Sequence, residues 1–286
     1  MFHKLQDIIE QCNEQKKPFW QVVLETDAQE KSVPREEIIV TMRGMLLAMK
    51  EAEKAYDAKK SASNMVGTDA KKLEDYFSQG NALTGGVISR VMVRALKMGE
   101  CNACMKRIVA APTAGSCGVL PAVLLSVQEE IHCSDEELVQ ALFVAGGIGE
   151  VIAMNASIAG AQGGCQAEIG SASAMAAGAL TSLLGGNAEM ICHSAAIALK
   201  GLLGLVCDPV AGLVEVPCVK RNVIGAVNAV TSAQMALAGI RSVILPDEVI
   251  DAMDEIGQNM SSKYRETGEG GLAATPSAKV ITEKLH

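Results

Sequence analysis

Aromatic residues are scarce in this 286-residue chain, at 3%: one Trp, three Tyr and four Phe. A core built on ring packing is therefore excluded, yet hydrophobic residues still make up 49% of the chain. Ala, Val, Leu, Ile and Met must fill the interior, and Ala with Gly at this density favours closely packed helices over strands. No alternating apolar and polar run reads as a strand, and no internal repeat is visible. Basic charge is also in short supply, with a formal net charge of −8. Lys16-Lys17, Lys59-Lys60 and Lys71-Lys72 are scattered pairs, so the chain lacks the basic face that nucleic acid requires. The stretch Met1 to Glu14 carries Lys, Asp and Glu at amphipathic spacing and has no apolar core of a cleavable signal. Nine cysteines, an odd count, then point to a reduced cytoplasmic protein without a disulfide framework. Mean hydropathy is positive, at +0.22. However, Gln140, Glu150, Asn155 and Gln162 punctuate the longest apolar stretch, Leu138 to Gly164, and Gly146-Gly147, Gly149 and Gly163-Gly164 interrupt it. Buried helices, not a membrane span, are expected there.

What is present reads as an all-α protein, a single helical domain with buried central helices. Phe2, Leu5, Ile8, Ile9 and Cys12 recur at helical spacing. Ser32-Val33-Pro34-Arg35-Glu36-Glu37 starts a helix that runs on from Ile38 to Tyr56. From Asp57 to Gly80 the pattern dissolves into Ser, Asn, Gly, Asp and Lys, which predicts an exposed connection closing an N-terminal region, 1–80. A second region, 81–286, is continuous with it. Its predicted helices are Val87 to Lys97, one from near Val119, Ser134 to about Val144, Ser171 to Leu184, Ala188 to Leu205, Val223 to Ile240 and Pro246 to about Met260. The tail around Lys263 to Gly271 reads as a polar, glycine-broken loop.

Three cysteines sit at breaks in this apolar helical pattern: Cys165 after Gly163-Gly164, Cys207 before Asp208-Pro209, and Cys218 after Val216-Pro217. Broken backbone offers free N–H groups to cluster sulfurs, and thiolates bind iron. Their spacing is not that of compact ferredoxin runs, and buried cysteine commonly just fills core. Two glycine-bearing loops are candidate anion holders: Thr84-Gly85-Gly86 at a helix start, and Ala111 to Gly118 with the hydroxyls of Thr113 and Ser116. An ordinary turn and an N-cap are the plainer readings of each. Cys101-Asn102-Ala103-Cys104 is a lone C-x-x-C pair with no second pair at zinc spacing.

Gly163-Gly164-Cys165-Gln166-Ala167-Glu168-Ile169-Gly170-Ser171-Ala172 and the run from Leu205 to Cys218 resemble signatures of the iron–sulfur L-serine dehydratases. Ala111 to Gly118 and Glu266-Thr267 with Gly270-Gly271-Leu272 resemble the alpha region of that family too. The likeness runs from about Thr84 to the end of the chain. It implies a helical catalytic region over 81–286 and a [4Fe–4S] cluster held by Cys165, Cys207 and Cys218, with one iron left open. It also implies β-elimination of water from L-serine to give pyruvate and ammonia, without pyridoxal phosphate. The open iron would act as a Lewis acid. Thr84, Gly85, Gly86, Thr113, Ser116 and Asn155 would hold the substrate carboxylate and amine. The family's Ser-rich, His-containing beta-region motif is missing, so a beta subunit that supplies the general base is implied, within an oligomer.

Of the chain's own histidines, His3 and His286 lie at the ends, His132 at a helix boundary and His193 in an apolar helix. Lys220-Arg221 is either a solvated basic turn or a group that biases the cluster or binds carboxylate. Glu168 and Asp208 read as supports for the ligand loops. Cys117 stands beside the proposed substrate loop, while Cys12, Cys133 and Cys192 read as packing. A lyase acting on L-cysteine and a non-catalytic iron–sulfur sensor with a fourth thiolate remain open alternatives. A membrane transporter is disfavoured by the charged interruptions.

Overall fold

Apolar residues at helical spacing produce thirteen α-helices among residues 2–285, the part of the chain that the computed structural model describes. They are α1 (Leu5–Gln15), α2 (Phe19–Lys31), α3 (Arg35–Lys54), α4 (Asp69–Ser78), α5 (Gly86–Ala103), α6 (Val119–Ile131) and α7 (Asp135–Asn155). After these come the single turn α8 (Gly160–Gly163), then α9 (Ser171–Leu183), α10 (Ala188–Lys200), α11 (Cys218–Leu237), α12 (Pro246–Asn259) and α13 (Pro276–Leu285). No strand forms among the described residues; one isolated bridge pairs Cys207 with Arg265. The expected all-α class is what the structure has.

Helix α9 is the axis of the molecule, packed against α6, α7, α10 and α11. Its sequence is dominated by Ala, Ser and Gly, so neighbours approach closely. A Cβ at Gly178 would stand 2.1 Å from Ile148 Cδ1 of α7. Helix α7 starts at a capping box, in which Ser134 Oγ accepts the Glu137 N–H and the Glu137 carboxylate accepts the Ser134 N–H. It then runs straight through Gly146, Gly147 and Gly149, which were expected to break it. Two of those glycines serve contact: a Cβ at Gly147 would meet Val23 Cγ2 at 2.6 Å, and one at Gly149 would meet Met175 Sδ at 2.9 Å, whereas Gly146 faces open space. Among the described residues α7 is the one helix long and apolar enough to cross a membrane, and two thirds of its apolar window is buried inside the protein. Helices on both sides of residue 80 contribute to one core, since Phe2, Leu5, Phe19 and Leu46 pack in the same cluster as Leu138, Ile152 and Leu180.

The predicted exposed connection over 57–80 is the main departure. It contains α4 and buries Ser61, Val66 and Ala70. The cause lies far away in the chain. Glu100, fully buried in α5, accepts hydrogen bonds from the backbone N–H groups of Gly67 (2.8 Å), Asp69 (2.7 Å) and Ala70 (3.2 Å). A carboxylate on the first N–H groups of a helix both caps them and complements the helix dipole. Ser61 and Ser63 then donate to the buried Glu215 carboxylate, pinning the loop to the segment before Cys218. Beyond the loop around Lys263 to Gly271 the described chain ends in a helix, α13, on which the sequence reading made no statement.

Replacing Glu100 by Ala orphans three backbone donors in a buried site. It is expected to lower unfolding free energy by about 3 kcal/mol in urea denaturation, against less than about 0.5 kcal/mol for Lys60→Ala on the exposed face of the same loop.

Candidate active site

The first turn of α11 gathers the site. Cys218, Arg221 and Asn222 stand three and four residues apart and so share one face of the helix. Asn222 Oδ1 accepts the Gly118 N–H (2.8 Å), and its Nδ2 donates to Gly115 C=O (2.8 Å) and Cys218 C=O (2.9 Å). One side chain thereby ties the hydroxyl-bearing loop to the third cysteine. Arg221 donates from Nη1 to Val206 C=O (2.7 Å) and from Nη2 to the Asp208 carboxylate (2.9 Å), bracketing Cys207 from both sides. It also lies beside Cys165 and acts to lower that thiol's pKa. The Lys220-Arg221 pair divides: Lys220 is exposed and pairs with Asp69, whereas Arg221 points inward.

Cys165 and Cys207 lie on neighbouring irregular segments. Gly164 has φ +74°, and a Cβ there would strike Met260 Sδ at 2.7 Å and Leu205 O at 2.9 Å. Immediately after Cys165 comes a π-helical turn, Gln166–Gly170, a distortion often found at functional sites. Gln166 is fully buried and clasps three elements. Its N–H donates to Leu205 C=O (3.0 Å), its Oε1 accepts the Gly204 N–H (2.8 Å) and its Nε2 donates to Met253 C=O (2.9 Å) of α12. The Cys207 N–H donates to Tyr264 C=O, and its C=O accepts the Glu266 N–H, both at 2.8 Å. Asp208 Oδ2 accepts the Leu272 N–H (2.7 Å), so the tail closes over this segment.

The hydroxyl loop faces the cysteines through Glu168. Thr113 Oγ1 donates to Glu168 Oε1 (2.7 Å), and Glu168 Oε2 lies 4.0 Å from Cys207 Sγ. Ser116 is fully buried and turned back on its own loop, 3.2 Å from Thr113 Oγ1 and 3.4 Å from Ala111 C=O. Burial raises the Glu168 carboxyl above its ordinary value, against the lowering effect of the Thr113 bond.

Cys165, Cys207 and Cys218 are all free and buried. Burial pushes Cys165 up to about 11 and Cys218 up to about 12, and raises Cys207 further. The charges of the other cysteines and of Glu168 add to the rise at Cys207 and Cys218. Arg221 offsets this rise only in part at Cys165 and Cys218, whereas a metal centre removes such protons outright. Among the described residues no three His, Cys, Asp or Glu side chains converge tightly enough to hold a single metal ion. Cys165 and Cys218 are in electrostatic range of Cys207, and thiolates are the ligands an iron–sulfur cluster takes, each on a different iron. A cradle is present as well: a Cβ at Gly160 would lie 2.8 Å from Cys207 Sγ and 2.7 Å from Glu168 Oε2. The donor set therefore fits an iron–sulfur cluster with three cysteine ligands.

Of the substrate residues read from the sequence, Thr113 and Ser116 join this constellation; Thr84, Gly85 and Gly86 do not. They are exposed at the start of α5, where Thr84 Oγ1 bonds Ser89 Oγ at 2.7 Å. The same helix meets the Ala111 to Gly118 loop at Ala95 and Met98, about 14 Å or more along its axis. Asn155 donates to His3 C=O (2.7 Å) and Val151 C=O (2.8 Å) and lines a cavity of 560 Å³ with Ser157, Gln162, Gln166 and Arg265. None of the three cysteines lines that cavity. The thiol of Cys117 points to Met98 C=O, and its electrostatic neighbour is Cys101. Cys101 and Cys104 bond the carbonyls of Ala52 and Lys59. His193 accepts from Arg241 Nε, His132 is the C-cap of α6, and His286 lies outside the described residues. The bracing roles of Gln166, Arg221 and Asn222 were not read from the sequence, where Lys220-Arg221-Asn222 looks like a polar turn.

Fold and site together define an all-α protein whose functional centre is made of thiols, carboxylates and hydroxyls at helix breaks. Residues 14–273 match the family described as serine dehydratase alpha chain, and the chain belongs to that family. It is 46% identical over 286 residues to the "Probable L-serine dehydratase, alpha chain" of Bacillus subtilis, covering 100% of this chain and 95% of that protein. It is 40% identical over 283 residues to the "L-serine dehydratase, alpha chain" of Peptoniphilus asaccharolyticus, covering 98% and 97%. To "L-serine dehydratase 1" of Escherichia coli it is 47% identical over 189 residues, 65% of this chain and 42% of that longer protein.

Breaking a buried ion pair by removing one partner leaves an uncompensated charge. Arg221→Ala is expected to lower the unfolding free energy of the chain by about 3 kcal/mol, read by urea denaturation without iron.

Proposed function

We propose that this chain is the alpha chain of a [4Fe–4S]-dependent L-serine dehydratase, a cytoplasmic ammonia-lyase that works as an oligomer with a beta chain. The observation that carries this reading is the arrangement of three buried thiols from three segments, braced by one turn of α11 and facing the Thr113 loop through Glu168. The printed names of the relatives support the substrate and the alpha–beta division.

Cys165, Cys207 and Cys218 would hold the cluster, and its iron without a protein thiolate would supply a Lewis acid for the β-hydroxyl of L-serine. The chain's own residues do the positioning. Asn222 fixes the Gly115–Gly118 backbone, so the loop's groups are preorganised around the substrate. Arg221 and Gln166 hold the two irregular cysteine segments together. Elimination takes the α-proton and the β-hydroxyl off as water; the enamine tautomerises to an imine, and water returns to release ammonia and pyruvate. Proton removal needs a base poised near working pH. Neither His132 nor His193 contacts the thiols or the Thr113 loop, so the partner chain supplies that base. Residues 1–80 serve as a brace, through Ser61 and Ser63 on Glu215.

The test is anaerobic reconstitution with iron, sulfide and the beta chain, followed by turnover with L-serine, L-threonine and L-cysteine. L-Serine is the expected best substrate. Cys207→Ala should lose the visible cluster absorbance and the activity together, while Cys104→Ala keeps both. Unchanged absorbance in Cys207→Ala removes that residue from the ligand set.

A further inference from the structure

The two oxygens of Glu168 are in different situations. Oε1 accepts from Thr113 Oγ1 at 2.7 Å. Among the described residues, the one donor near Oε2 is the Cys207 thiol, at 4.0 Å. A cysteine that binds metal has given up that proton, so in the iron-loaded protein Oε2 of the half-buried Glu168 is an acceptor without a protein donor. Leaving such an acceptor unpaired is costly, more so for a charged group. The backbone keeps its surroundings clear, because a Cβ at Gly160 would lie 2.7 Å from Oε2 and one at Gly115 would lie 3.2 Å from Oε1. Arg221, the cation in electrostatic range, directs its guanidinium to Val206 C=O and Asp208. The other acid in range, Glu266, is exposed.

We propose that Glu168, through Oε2, receives the α-ammonium group of the amino-acid substrate and so selects amino acids over hydroxy acids. This rests on the dehydratase reading and adds a residue that touches substrate. An amino acid presents a carboxylate, which Glu168 repels, and an ammonium with three donors, which it matches. Thr113 holds the other oxygen in place, fixing where that cation sits.

The test uses the iron-loaded enzyme assembled with its beta chain and two probes that cannot lose a β-hydroxyl, L-alanine and L-lactate. These share a carboxylate and a methyl group and differ in ammonium against hydroxyl. In calorimetry the wild type is expected to prefer L-alanine. Glu168→Gln should weaken L-alanine binding about 10- to 100-fold and move L-lactate by less than about twofold, with iron content and visible absorbance unchanged. The KM for L-serine should rise by a similar factor. Glu168→Asp, which withdraws the charge by one methylene, should weaken L-alanine less than Gln does yet more than L-lactate, and it carries the test if Glu168→Gln takes up no iron. Equal weakening of both probes, no preference in the wild type, or a fall in kcat with L-alanine binding intact each overturns the assignment. Failure of the wild type to take up iron or turn over L-serine strikes the dehydratase reading instead.

Discussion

A single helical turn sets the site. Cys218, Arg221 and Asn222 project from one face of α11, and the hydroxyl loop and the Cys207 segment are both fastened to it. A one-residue slip of α11 would rotate that face by about 100° and detach the Thr113 loop, the Cys207 segment and the third thiol together. The same helix packs on α5, α6, α9 and α10, so the geometry of the centre is coupled to the core and not to a flexible loop. Small residues on the buried face of α11 permit this closeness: a Cβ at Gly225 would stand 2.8 Å from Ile169 Cγ2, in the π-helical turn that follows Cys165.

Much of the fold was legible because its signals are local. Helices α9 and α12 form within a residue or so of where periodicity and Pro246 place them. The failures have one physical root: bonds from remote residues. Nothing within 57–80 announces that Glu100 and Glu215 order it, and polar composition alone reads as loop. Gly146, Gly147 and Gly149 look like breakers in one dimension, yet in three dimensions Gly147 and Gly149 are where α2 and α9 come close. Helix α11 begins at Cys218, five residues before the apolar pattern suggests, because Lys220-Arg221-Asn222 reads as a turn until Arg221 and Asn222 are seen to point inward.

The site was legible in part for a related reason. Cysteines at glycine and proline breaks stand out against an apolar helical background, and the structure brings all three into mutual electrostatic range. Thr113 and Ser116 stand out in the sequence because two hydroxyls in a short break are unusual, and the structure sets Thr113 on Glu168 and turns Ser116 back on its own loop. Thr84-Gly85-Gly86 carries the same local chemistry, and only packing shows that it caps the far end of α5. A helix start bears free N–H groups wherever it lies, so turn composition cannot say which start faces the centre.

The bonds that hold the cysteine segments in place do not use sulfur. Gln166, Arg221 and Asn222 make them through amide, guanidinium and carbonyl groups, with carboxylate help from Asp208. The three thiols are therefore held in place by bonds that do not pass through sulfur. Their electrostatics are left unbalanced: burial raises Glu168 and each of the three thiols, and the charge of Glu168 adds to the rise at the thiols, with one guanidinium beside them to oppose it. Whatever completes such a centre must bring positive charge. In the proposed dehydratase an iron–sulfur core would answer for the thiolates, and the ammonium of an amino acid for the half-buried carboxylate of Glu168.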